Sequence, residues 1–121
     1  MKQEEIALEF NNCINEKNLD KLGKLMTSEH RFIDSLDSKT IGKENCLKLW
    51  KEFFRLFPDY KNTFNTVSSK EDTVILIGYS TCSDERLNKT AIWTAKIKDE
   101  MLEEWRIYDD TANNRKILAI N

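Results

Sequence analysis

Apolar residues recur every three or four positions at the start of the chain. Ile6, Phe10, Cys13 and Ile14 fall on one face, which predicts a helix over residues 4–17. Asn18 then offers an N-cap, and Leu19, Leu22, Leu25 and Met26 form a second, shorter helical stripe ending near Thr27 and Ser28. Gly23 weakens that stripe by up to ~1 kcal/mol relative to alanine, so packing has to hold it. The period changes at residues 30–35, where a strand would put His30, Phe32 and Asp34 on one face and Ile33 on the other. Residues 36–42, rich in Asp, Ser and Thr, read as a loop or irregular edge strand. Helical spacing returns over residues 43–57, where Cys46, Leu47, Leu49, Trp50, Phe53, Phe54 and Phe57 make a broad apolar face. Pro58 stops it, and Trp50, Phe53 and Phe54 read as core.

Beyond Pro58 the period is two. Residues 60–68 alternate loosely, and residues 73–82 hold the clearest strand, built on Val74, Ile75, Leu76 and Ile77. Residues 89–98 place Trp93, Ala95 and Ile97 opposite Ile92, Thr94 and Lys96. They lead through Asp99 and Glu100 into a hairpin partner over residues 101–110. On that last strand Trp105, Ile107 and Asp109 share one face, and Arg106, Tyr108 and Asp110 the other. Asp110 and Thr111 are suited to cap a short terminal segment, residues 112–118. Helices first and strands later predict an α+β domain, with helices against one face of an antiparallel sheet.

Composition narrows the picture. A length of 121 residues suits a single domain spanning residues 1–121, and 40% hydrophobic with 33% charged residues fits a soluble globular chain. No apolar run approaches the ~20 residues of a spanning helix, so no membrane partner is expected. The 19 basic and 21 acidic residues are interleaved, which argues against a nucleic-acid partner. Cys13, Cys46 and Cys82 are scattered and odd in number, so reduced, partly buried thiols are expected rather than disulfides or zinc. The single histidine, His30, is expected at the surface or at a strand start. No phosphate-binding glycine loop, nucleophile elbow or metal-ligand spacing occurs, so neither cofactor nor metal is expected. The first residues lack the apolar core of a secretory signal, which makes a cytoplasmic location the expectation and gives the sequon Asn88-Lys89-Thr90 little weight.

Five stretches, in order, carry a resemblance: residues 10–26, Phe32-Ile33-Asp34, residues 42–50, Phe57-Pro58-Asp59, and Glu104-Trp105-Arg106-Ile107-Tyr108-Asp109-Asp110-Thr111. They resemble the SnoaL-like branch of the nuclear transport factor 2-like superfamily over nearly the whole chain. That resemblance implies a cone-shaped α+β barrel, a curved antiparallel sheet wrapped around N-terminal helices, with a cavity at its open end. Many relatives are homodimers, so a homodimer is the expected assembly. The superfamily includes polyketide cyclases, ketosteroid isomerase, limonene epoxide hydrolase, scytalone dehydratase and members that only bind, so shared fold alone does not fix the chemistry.

The resemblance also proposes residues. Asp34 matches the carboxylate that acts as proton-abstracting base in ketosteroid isomerase, and a carboxylate in an apolar cavity suits that task. The alternative is a turn carboxylate bonded to the backbone of residues 35–38. The positions of that family's oxyanion-binding tyrosine and aspartate fall on Phe10 and Trp93, which disfavours steroid-type isomerisation by the familiar triad. Asp109 matches the acid–base residue of the cyclases; its alternative is strand-end structure. Ile107 stands where limonene epoxide hydrolase carries an acid, so water activation of that type loses its key residue. Phe10, Phe32, Trp93 and Trp105 are candidate walls of a pocket for a small apolar organic ligand, or else plain core. The leading expectation is a small-molecule-binding protein with cofactor-free acid–base chemistry through Asp34 and Asp109. The competing one is a non-catalytic dimerisation or protein-interaction module with a closed cavity. A cavity of ~300 Å³ or more beside Asp34 would favour the first.

Overall fold

The computed structural model describes residues 1–120, and it begins with the two helices that the apolar spacing predicts. These are α1 (Gln3–Glu16) and α2 (Leu19–Lys24). Lys17 ends α1 in the left-handed region, with Asn18 N–H donating to Cys13 O at 2.9 Å, and the Asn18 side chain caps α2 by accepting from Lys21 N–H at 3.2 Å. Gly23 is explained by packing. A Cβ there would lie 3.2 Å from Leu47 Cδ1 on α3 (Lys43–Leu56), so the bare backbone lets the two helices approach. The apolar stripe of α2 outruns its helix, because Met26 opens β1 (Met26–Ile33), where it sits opposite Leu102. Tertiary pairing overrides the helical period at that point.

Six strands form one curved sheet: β1, β2 (Lys39–Ile41), β3 (Lys61–Lys70), β4 (Thr73–Thr81), β5 (Lys89–Lys98) and β6 (Met101–Asp109), in the order β2-β1-β6-β5-β4-β3. The expected antiparallel pairing holds everywhere except between β1 and β6, which run parallel with Phe32 opposite Trp105. The long excursion through α3 and four further strands frees this pair from hairpin geometry. Arg31 Nε donates to the buried Glu104 carboxylate at 2.8 Å and ties the parallel pair together. The cone is open, with β2 and β3 as free edges.

Curvature has a local cause at Gly78. An added Cβ would sit 1.9 Å from Thr63 O and 2.8 Å from Phe64 Cα, so β3 bends closely over β4 only because residue 78 has no side chain. The β3–β4 register shifts between Phe64 and Thr66, right beside this contact. Asparagines then fasten α1 to β3. Asn62 N–H donates to Asn15 Oδ1 at 2.9 Å, Asn15 Nδ2 to Asn62 O at 3.0 Å, and Asn62 Nδ2 to the buried Asn11 at 3.1 Å. Held this way, α1 buries Ile6, Phe10, Cys13 and Ile14 in one core with Leu76, Ala95, Leu102 and Trp105 of the sheet. Full burial of such side chains stabilises the fold by roughly 1.5–3 kcal/mol each before chain entropy is set against it.

His30 departs from expectation. It is fully buried, its ring centroid 5.6 Å from that of Phe10 and its Nδ1 2.8 Å from Leu102 O. The strand starts four residues earlier than its alternation suggests, and an irregular register between Met26 and Arg31 carries His30 inward beneath α1. Burial lowers its pKa from 6.5 to about 4, partly offset by the Leu102 carbonyl. All three cysteines are free and buried. The chain ends in a short helix, α4 (Ala112–Ile117), capped by the Thr111 side chain accepting from Asn114 N–H at 3.1 Å. Among the described residues no helix is long and apolar enough to cross a membrane.

Candidate functional site

The end of β1 and the turn after it bring Phe32, Asp34 and Ser35 to the wall of a cavity of about 220 Å³. Helix α3 adds Trp50 and Phe53, the link into β3 adds Tyr60, and β4 adds Ser80. Lys89, Ala91 and Trp93 of β5, with Ile107 of β6, line the opposite side, and Leu87 of the 3₁₀ turn Glu85–Leu87 completes it. Ala91, Trp93 and Ile107 come together because alternate residues of β5 face one way and Trp93 pairs with Ile107. The volume falls below the ~300 Å³ that would favour a ligand site on size, and leaves room only for a small molecule.

Asp34 is the turn carboxylate of its alternative reading, and it also borders the cavity. Its Oδ1 accepts from Leu36 N–H and Ser38 N–H, each at 2.9 Å, fastening the turn into β2, and the residue also lines the cavity. Oδ2 has no hydrogen-bond partner among the described residues. One oxygen therefore fixes the carboxylate in place, and the other is unspent.

Tyr60, Ser80 and Lys89 are site residues that sequence reasoning missed. Tyr60 follows a helix stop in a stretch of weak alternation, and an aromatic placed there was its only signal. Its hydroxyl is buried beside the Asn62 and Ser80 side chains, and burial pushes its pKa up, so it keeps its proton at neutral pH. Lys17 Nζ donates to Tyr60 O, which anchors this segment to the end of α1. Ser80 Oγ donates to Leu87 O and holds the 3₁₀ turn against the cavity. Trp50 and Phe53, read from their spacing as core, are cavity walls as well.

Of the four predicted pocket aromatics, Phe32 and Trp93 line the cavity, whereas Phe10 and Trp105 do not. Those two pack on each other with centroids 5.0 Å apart and are fully buried. Trp105 lies two residues further into the cone than Ile107, where α1 covers it. Asp109 is also absent from the cavity wall. It is the last residue of β6, half exposed, and its carboxylate accepts from Lys89 Nζ at 3.1 Å. Alternation gave its face correctly, but the strand has run out to the rim by then. Lys89 thus reaches the cavity with its charge already answered. Among the described residues no group of three or more His, Cys, Asp or Glu is placed to hold a metal ion.

The profile of the SnoaL-like domain family matches residues 7–110. Similar solved structures include one assigned as a SnoaL-like polyketide cyclase from Shewanella putrefaciens CN-32, at 15% identity and a TM-score of 0.78, covering 98% of this chain and 87% of that one. An LEH-like epoxide hydrolase from M. tuberculosis gives 12% identity and a TM-score of 0.78, over 89% of this chain and 82% of that one. An NTF2-like protein of unknown function from Cytophaga hutchinsonii ATCC 33406 gives 14% identity and a TM-score of 0.74, over 98% and 96%. At such identities the likeness is one of fold. No curated protein is similar to the chain at a significant level.

Proposed function

We propose that this chain, which belongs to the SnoaL-like domain family, binds a small, largely apolar organic molecule in the cavity beside Asp34 and acts on it by cofactor-free acid–base chemistry. The observation that carries this reading is one apolar cavity bordered by Asp34, whose carboxylate has an unspent oxygen, and by Tyr60. Asp34 Oδ2 would take a proton from carbon next to a carbonyl, the electron pair passing to the carbonyl oxygen as an enolate. Tyr60, protonated at neutral pH, is the donor available to such an oxyanion. Return of the proton to the same or a neighbouring carbon completes an isomerisation or exchange. Asp109 would act only through Lys89, by neutralising it. Similar structures are assigned as a cyclase and as an epoxide hydrolase, so fold alone favours neither chemistry.

The proposal includes a homodimer through the face of the sheet opposite the cavity. Ile77 and Tyr108, both half-buried, flank the fully buried Ile92 in register across β4, β5 and β6 there. Native mass spectrometry of freshly purified protein tests both parts. The expected spectrum shows twice the chain mass and an added small mass that is lost on mild activation. A monomer would remove the dimer. Absence of any retained or added small molecule across a panel of ketones, alcohols and amines would remove the ligand site.

A further inference from the structure

Resting on the reading of this cavity as a ligand site, we propose that the molecule it takes carries a positive charge, as a small alkylated ammonium. Five aromatic rings border the cavity: Phe32, Trp50, Phe53, Tyr60 and Trp93. Four of them meet edge to face in succession rather than in a stack. Phe32 and Trp50 lie 5.3 Å apart at 63°, Trp50 and Phe53 5.6 Å apart at 84°, and Phe53 and Tyr60 4.8 Å apart at 87°. Rings turned steeply to one another in this way can wall a box around the space they border. Aromatic faces carry negative potential, and a box of them favours a cation over a neutral group of equal size.

The charges around the cavity agree with that preference. Asp34 contributes a carboxylate, whereas the one basic residue of the wall, Lys89, is paired with Asp109 at the rim. The protein's own cations leave these rings free among the described residues. Its two cation–ring contacts, Lys17 on Phe54 and Arg106 on Tyr108, both use rings outside the cavity. A fully alkylated ammonium offers no N–H, so Asp34 would attract it through space and keep Oδ2 available for a proton. A cation near the reacting carbon also stabilises the carbanion formed there, which makes the charge compatible with the proposed chemistry.

The test titrates the whole protein with choline and with 3,3-dimethylbutan-1-ol, its neutral isostere in which carbon replaces nitrogen, at neutral pH and low salt. Choline is expected to bind tighter by about tenfold or more, the scale of a desolvated cation–ring contact. Asp34→Asn and Phe53→Leu, the latter at a half-buried ring, are each expected to reduce that preference. Equal or tighter binding of the isostere would overturn the positive charge and leave the ligand site standing. If choline, the isostere and neutral cyclohexanone all fail to bind, the ligand site itself falls with it.

Discussion

Asp34→Asn is expected to slow proton transfer by about 10²–10⁴-fold while the protein unfolds at nearly the same temperature as the wild type. The two parts of this result come from the two oxygens. The Oδ1 of an asparagine still accepts from Leu36 N–H and Ser38 N–H, so the turn that joins β1 to β2 keeps both bonds. Oδ2, the unspent oxygen, becomes an amide nitrogen that cannot accept a proton. Deuterium exchange next to the carbonyl of cyclohexanone in heavy water, followed by NMR, reads the chemical step without knowledge of the natural ligand. Exchange that is unchanged in the variant, or no faster with wild type than with buffer, would remove Asp34 as a base.

Lowering the pH from 7 to 4 is expected to cost the fold up to about 3 kcal/mol through His30 alone. Its pKa is lowered from 6.5 to about 4 by burial, so the folded state keeps the ring neutral while the unfolded chain takes a proton. The loss therefore begins as pH falls through 6.5 and is complete near 4. Carboxylates held low by hydrogen bonds, such as Asp110 beside Arg115, lose their contribution at lower pH, which separates the two effects. Urea midpoints at several pH values, compared between wild type and His30→Gln, isolate the histidine. An equal slope of stability with pH in both proteins over pH 6.5–4.5 would show that His30 is not buried as a neutral ring.

The legible part of this fold is the part set by period. Spacing placed α1 and α3, and alternation placed β4, β5 and β6, but the pairing of Trp93 with Ile107 depends on a register shift between Lys96 and Ile97 that the hairpin through Asp99 and Glu100 does not announce. What it missed depends on distant partners. Met26 looks helical until Leu102 captures it into β1, and His30 reads as a strand-start residue until the register irregularity turns it beneath Phe10. The parallel pairing of β1 with β6 leaves no local trace at all. At the site, alternation named the inward face of β6 but not where the cone ends, so Trp105 proved too deep and Asp109 too far out. Tyr60 and Ser80 reach the cavity through chain curvature, which rests on Gly78 and the shift beside it rather than on any motif.

The chain's three tryptophans provide the most direct measurement. None of their indole N–H groups has a hydrogen-bond partner among the described residues, and Trp50 and Trp93 line the cavity whereas Trp105 belongs to the sealed core. Three indole N–H signals in a ¹⁵N–¹H spectrum, assigned by conservative Trp→Phe variants, can be followed while cyclohexanone or choline is added. Saturable shifts of the Trp50 and Trp93 signals are expected, with Trp105 nearly still. Shifts confined to Trp105, or no saturable shift of any of the three, would contradict a ligand site beside Asp34.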